Sequence, residues 1–263
     1  MNREWVAILD FGSQYTQVIA RRVRECGVYS KIVSHKVSSA ELLRSRPKAI
    51  ILSGGPASVT SLESPTCQKE IFELGIPVLG ICYGMQLMAE VLGGKVSRSQ
   101  EREYGKATLF VERKQDLFKR LNNQLIVWMS HGDRVVKMPP GFETLGYTRH
   151  SPIAAMRDKK RKLYGVQFHP EVVHTPKGKE ILENFLKEIA NCTGNWTIKS
   201  FVRDTLEKIR ERVKSERVLC AVSGGVDSSV LAVLLQKAIG KQLTCIFVDN
   251  GLLRKNETKE IVK

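Results

Sequence analysis

Residues 80–84 read Gly-Ile-Cys-Tyr-Gly, preceded by the apolar run Ile76, Pro77, Val78, Leu79 and followed by a helix-like stretch over residues 85–92. A thiol between glycines at i−2 and i+2, where a strand becomes a helix, is placed for nucleophilic chemistry. The turn that lifts such a side chain forces unusual dihedral angles, and side chains two residues to either side would strike the flanking strand and helix unless very small. The same spacing around a serine makes a nucleophile elbow. Cys82 also meets the amino end of the helix, where free N–H groups and the helix dipole favour a thiolate, the reactive form. An isolated cysteine is more often a small buried hydrophobe. The paired glycines Gly80 and Gly84 set this one apart.

A thiolate nucleophile needs a proton shuttle and a group to orient it. Of the five histidines, His35, His131, His150 and His174 fall in polar or turn-like surroundings, whereas His169 ends the apolar run 164–168 and is followed by Pro170 and Glu171. In extended chain, residues i and i+2 point the same way, so Glu171 reaches toward the His169 ring and Pro170 stiffens the link. Proton transfer falls to His169 and tautomer control to Glu171. Taken alone, the triplet is weak evidence, since a histidine beside a carboxylate at a strand end is commonly just a solvated pair.

A second chemical signature lies at Ser223, Gly224, Gly225, Val226, Asp227, Ser228 and Ser229, between a strand at 217–222 and a helix running through residue 235. A glycine-rich turn there offers N–H groups and a positive dipole end to a phosphate. It is not a Walker loop, because no Gly-Lys-Ser/Thr follows. A bare glycine pair after a strand is usually an ordinary tight turn.

The elements that must position these residues alternate. Strands are expected at 5–9, 29–33 and 49–52, helices at 14–26 and 40–44, then a further helix and strand leading into the Cys82 turn. Such alternation implies a parallel sheet covered on both faces, with sites at the carboxyl ends of its strands. From about residue 95 to 168 the pattern changes to strand-like runs at 107–111, 125–128, 152–156 and 163–168. Helices are expected at 177–190 and 197–214, and a last strand at 243–248 ends in Asp249, Asn250, Gly251.

Composition bounds the reading. The chain has 263 residues, 42% of them hydrophobic, enough for one large or two ordinary domains. No stretch approaches the ~18 consecutive apolar residues of a membrane helix, and the first residues lack a secretion pattern, so a cytoplasmic protein without a membrane role is expected. Cys26, Cys67, Cys82, Cys192, Cys220 and Cys245 include no CxxC pair, which argues against a zinc site or a disulfide framework. The net charge of +15, from 42 Lys+Arg and 27 Asp+Glu, is spread along the chain. Its densest run, 157–162, reads as a solvated hairpin tip. With 7% aromatic residues and no aromatic-basic interleaving, no nucleic-acid partner is expected.

The strings ILSGGP, GICYGMQ and GVQFHPE, in this order, resemble the class I glutamine amidotransferases over roughly residues 5–190. The resemblance implies a flavodoxin-like, open, mostly parallel α/β sheet flanked by helices. It further implies that Cys82, His169 and Glu171 hydrolyse the side-chain amide of glutamine through a thioester. Backbone N–H groups of Tyr83 and of the Gly54-Gly55 turn would hold the oxyanion, and Gln86 would contact bound glutamine. The segment Ser130-His131-Gly132-Asp133 matches one near the same pocket. The SGGVDS string resembles the pyrophosphate loop of the ATP pyrophosphatase superfamily, implying ATP and Mg2+ at Ser223–Ser229.

Both in one chain, with ILDFGSQYTQ and DNGLLRKNE, resemble glutamine-hydrolysing GMP synthases, whose substrates are glutamine, ATP and xanthosine monophosphate and which are expected to be homodimers at full length. The division expected is an amidotransferase domain at 1–190, a linker at 191–199, and the beginning of a second α/β nucleotide-binding domain at 200–263. Because such synthetases continue well beyond residue 263, a piece that is glutaminase-competent but unable to form GMP alone is expected. The alternative is a stand-alone glutamine or γ-glutamyl hydrolase with a vestigial ATP loop.

Overall fold

The computed structural model describes residues 4–249 and 251, with the backbone only at 99–102. The chain divides into two compact units, residues 1–195 and 196–263.

The first unit begins β1 (Trp5–Asp10), α1 (Thr16–Glu25), β2 (Tyr29–Ser34), α2 (Ser39–Ser45) and β3 (Ala49–Leu52). It continues with β4 (Val78–Ile81), α3 (Tyr83–Val91), β5 (Lys95–Val111), β6 (Gln124–Lys137), β7 (Glu143–Tyr147), β8 (Ala155–Asp158), β9 (Leu163–Val166) and α4 (Gly178–Asn184). One nine-stranded sheet runs β2-β1-β3-β4-β9-β8-β7-β5-β6. From β2 to β9 neighbours pair in parallel; from β9 to β6 they pair antiparallel. The parallel half is the open α/β sheet expected, and the antiparallel half extends it.

The sequence of the strands explains the two layers of helix. Every residue of β3 (Ala-Ile-Ile-Leu) and β4 (Val-Leu-Gly-Ile) is buried, as sheets covered on both faces require. In β1, Val6 and Ile8 join one apolar cluster with Ile19 and Val23 of α1 and Ile181 and Leu182 of α4, while Ala7 and Leu9 join the other with Leu42 of α2 and Met85 and Met88 of α3. Alternation along one strand thus feeds two cores.

Several expectations are corrected. Between β3 and β4 there is no α-helix, only a short 3-10 turn, Lys69–Glu73; the intervening Ser, Thr and Pro residues carry no helical period. The strands at 107–111 and 125–128 are the ends of a long hairpin, β5 and β6, whose outer part is too charged to read as strand. The basic run is not all solvated tip: Arg157 is 3% exposed and pairs with Asp116 and Glu143. His131 has the polar surroundings expected, beside Glu103 and Ser151, but it is buried within a strand, β6, and not in a turn. His169 lies beyond β9, which stops at Val166.

Residues 191–195 pack on the first unit, with Cys192 buried and Thr193 donating its N–H (2.9 Å) and its hydroxyl (2.7 Å) to Glu4 Oε2. The boundary between the two units, after residue 195, falls inside the stretch 191–199, and α5 (Ile198–Val213), capped by Thr197, begins within it. The second unit continues with β10 (Val218–Val222), α6 (Val226–Ile239) and β11 (Leu243–Phe247); its two strands pair in parallel around Cys220, Leu235 and Ile239. Asn250 and residues 252–263, which carry most of DNGLLRKNE, lie outside the described residues.

The Cys82 turn depends on two close approaches. A Cβ on Gly84 would stand 2.5 Å from the Leu52 carbonyl oxygen, and one on Gly80 would stand 2.6 Å from the Gly84 carbonyl and the Met85 nitrogen. Gly84→Ala is expected to cost about 1–3 kcal/mol through overpacking. Gly132→Ala, whose methyl meets only the Tyr104 hydroxyl at 3.9 Å, is expected to stay within about 0.5 kcal/mol. Urea-unfolding midpoints of the two variants check the difference.

Candidate functional site

β4 delivers Cys82 to the carboxyl edge of the parallel sheet with φ 50° and ψ −106°, a backbone conformation that L-residues rarely adopt. Such strain costs on the order of 1–3 kcal/mol and persists only where the surroundings hold it. Here the Cys82 N–H donates to the Val166 carbonyl at 2.8 Å, and the Cys82 carbonyl accepts from Met85 (3.0 Å) and Gln86 (3.1 Å). These bonds tie the turn to β9 on one side and to α3 on the other. The sulfur lies 3.8 Å from the Ser130 carbonyl and 3.7 Å from Gln167 Nε2. Although Cys82 is only 5% exposed, it lines a cleft of about 610 Å³ with Gly55, Ser58, Tyr83, Gln86, Tyr104 and Asp133. Burial pushes the thiols of Cys26 and Cys192 up to about 11, away from reactivity.

His169 and Glu171 meet as the i, i+2 geometry implies, Nδ1 to Oε1 at 2.7 Å. The His169 N–H donates to the Trp128 carbonyl at 3.0 Å, and its carbonyl accepts from the Thr175 hydroxyl at 2.7 Å. Tyr15 stands edge-on to the ring, with centroids 5.4 Å apart. Glu171 is fully buried, and its Oε2 has no hydrogen-bond partner among the described residues. The imidazole is pushed up to about 10: burial opposes its charged form, but interaction with the Cys82 side chain and the Glu171 carboxylate outweighs that. The ring therefore carries its proton through neutral pH.

Around the sulfur lie the other residues singled out from the sequence. Tyr83 is the first residue of α3, where N–H groups lack intrahelical partners. The Gly54-Gly55 turn leaves β3 beside it; a Cβ on Gly54 would stand 3.3 Å from the His169 ring, and one on Gly55 would stand 2.8 Å from the Phe11 carbonyl. Gln86 is buried and spends its amide on the Asp133 carbonyl, at 2.8 Å. Asp133 is gripped by the Ser58 hydroxyl.

Three features escaped the sequence reading. Ser58 sits in a loop with no pattern of its own. Gln167 could have been found by the i, i+2 step back from His169. The third is a buried group beside the cleft: Glu103 accepts from Thr148 (2.9 Å) and Ser151 (2.9 Å) and faces His131 Nε2 at 3.6 Å. Burial opposes ionisation of Glu103, yet bonds from His131, Ser151 and Thr148 hold its carboxyl below the usual range.

In the second unit the glycine-rich turn joins β10 to α6, with Gly224 at φ 82° and Gly225 as the cap. The Ser228 and Ser229 hydroxyls donate to the Gly225 carbonyl at 3.0 and 2.9 Å, and Ser228 Oγ accepts from the Ser223 N–H at 3.2 Å. These bonds brace the loop at the helix's amino end, with Asp227 in its first turn.

Comparison with known proteins agrees with both halves. The model of the "tRNA methyl transferase HUP domain" matches residues 216–261. Proteins named GMP synthase [glutamine-hydrolyzing] from Staphylococcus epidermidis and Bacillus licheniformis are 57% and 55% identical over 97% and 99% of this chain. The chain spans about half the length of these relatives, 50% and 51%. A candidate component of GMP synthase from Thermoplasma acidophilum superposes with TM-score 0.64 at 29% identity, over 72% of this chain and 94% of that one. A glutamine amidotransferase from Thermotoga maritima shares the fold, with TM-score 0.58 at 19% identity over 72% of this chain and 99% of its own. The model "Glutamine amidotransferase class-I" matches residues 7–189, which is most of the chain and contains the Cys82 turn and the His169–Glu171 pair, so the chain belongs to the class-I glutamine amidotransferase family.

Proposed function

We propose that this chain hydrolyses glutamine and that the ammonia serves the formation of GMP from xanthosine monophosphate and ATP. One observation carries the reading: a cysteine on a strained elbow at a cleft, coupled to an imidazole that a buried carboxylate orients.

The reaction follows from these groups. The Cys82 thiolate attacks the amide carbon of glutamine. Negative charge develops on the amide oxygen, where the N–H of Tyr83 and one from the Gly54-Gly55 turn receive it, each such donor contributing about 3 kcal/mol. The protonated His169 gives its proton to the leaving nitrogen, and ammonia departs. A thioester remains. His169, now neutral, takes a proton from water as the hydroxyl attacks the thioester carbon, and glutamate leaves with the thiolate restored. Glu171 keeps Nδ1 protonated, which aims the other ring nitrogen at the reaction. Gln86 and the Ser130–Asp133 segment wall the glutamine site.

The second unit supports the synthetic half of the proposal. Ser223, Gly224, Gly225, Val226, Asp227, Ser228 and Ser229 form an open turn at a helix amino end, which suits the phosphates of ATP. The Asp227 carboxylate would repel a bare phosphate, so the turn fits an anion that arrives with Mg2+. ATP supplies the adenylate that activates xanthosine monophosphate for displacement by ammonia. The relatives named GMP synthase point to the same substrates.

A glutamine-like electrophile is expected to label Cys82, located by peptide mass mapping, and Cys82→Ala is expected to release no glutamate from glutamine. Labelling elsewhere, or glutamate release by the variant, overturns the assignment. Because His169 is pushed up to about 10, its proton is lost only near that pH, and kcat/KM is expected to hold on the alkaline side until then. Glu171→Gln removes part of what raises the ring. Its alkaline limb should move to lower pH, toward the ordinary ~6.5, with kcat down by roughly two to four orders of magnitude. A pH–rate profile of both proteins decides.

A further inference from the structure

The Cys82 sulfur has one neighbour with no part in the steps above. Gln167 is 0% exposed and sits between β9 and His169, with its main-chain N–H donating to the Ala154 carbonyl at 2.8 Å. Its Nε2 lies 3.7 Å from Cys82 Sγ, and its Oε1 lies 3.3 Å from Gln86 Nε2, the same nitrogen that donates to the Asp133 carbonyl at 2.8 Å. The two amides form a directed chain. A main-chain carbonyl only accepts, so Asp133 draws the NH2 of Gln86 toward itself. The second N–H of that group meets Gln167 Oε1, and the NH2 of Gln167 is the end left facing sulfur.

We propose that Gln167 is a positioning residue for the nucleophile, donating an N–H to the Cys82 thiolate in an orientation set by Gln86 and the Asp133 carbonyl. This rests on reading Cys82 as the nucleophile. The Ser130 carbonyl, 3.8 Å from the sulfur, is an acceptor and serves only the protonated thiol. Gln167 supplies a donor instead, and a donor is strengthened by the negative charge. The sulfur is thus held between a group that suits the thiol and one that suits the thiolate. The titratable and charged groups around it are His169, backed by Glu171, and Tyr83, Arg98, Tyr104, His131 and Asp133 along the cleft. All of these remain in the variants below.

Alkylation of Cys82 by iodoacetamide across pH, in the absence of glutamine and followed by peptide mass spectrometry, tests the proposal. In Gln167→Leu the pH of half-maximal alkylation is expected to rise by roughly one unit, about a tenfold slower reaction on the acid side. Gln167→Glu turns an acceptor toward the sulfur and should shift the profile further. Gln86→Leu leaves Gln167 in place but frees its amide to turn, and should shift the profile in the same direction by less. Unchanged profiles in both Gln167 variants, with melting temperatures like the parent's, overturn the proposal. If those variants do not fold, an unshifted Gln86→Leu profile overturns it. Shifted profiles beside a parent chain that never releases glutamate would sink the glutaminase reading alone; unshifted profiles beside normal glutamate release would sink the role of Gln167 alone.

Discussion

The cleft depends on how closely the start of α3 approaches β3 and β4. At the Cys82 turn the backbone of the helix lies against Leu52 and against its own preceding strand, and only hydrogen fits at Gly80 and Gly84. That contact forces φ 50° on Cys82, and the strain is offset by bonds from the turn to Val166, Met85 and Gln86. A looser helix would let the turn relax. The sulfur would then lose both its place beside His169 and the helix amides that face the same space.

Electrostatics at the site follows from burial. Glu171 is enclosed completely, with one oxygen lacking a hydrogen-bond partner among the described residues, so its contact with His169 is the main compensation visible for removing a carboxylate from water. That same contact, with the Cys82 side chain, holds the proton on the imidazole. The main-chain bonds of His169 to Trp128 and Thr175 fix the ring from behind and tie it to β6. β6 also carries the Ser130–Asp133 segment that walls the cleft. One long strand therefore links His169 to the cleft wall.

Much of the architecture was legible because its physics is local. β1, β3 and β4 are short apolar runs ending in turn residues, and burial on both faces makes such runs unambiguous. α1 shows its buried stripe at Ile19, Ala20 and Val23. The hairpin of β5 and β6 was less readable. Between residues 98 and 106 its sequence is rich in charged residues, and its strand form comes from pairing with a partner strand, not from propensity. Arg157 misled for a related reason: a basic run reads as solvated, and only Asp116 and Glu143, distant in sequence, make its burial possible.

The sequence by itself determined the sharp turn at Cys82, the His-Pro-Glu pairing and the glycine-rich loop between β10 and α6. Each is a property of a few adjacent residues, set by steric room, by the two-residue period of extended chain, or by free amides at a helix start. Tertiary structure alone decided that the Cys82 side chain meets the His169 ring, that Gln167 and Gln86 orient their amides from Asp133 toward the sulfur, and that Glu103 is buried against His131. These contacts join residues tens of positions apart. They exist because strands β4, β6 and β9 are brought together by sheet pairing and core packing, which no local pattern encodes.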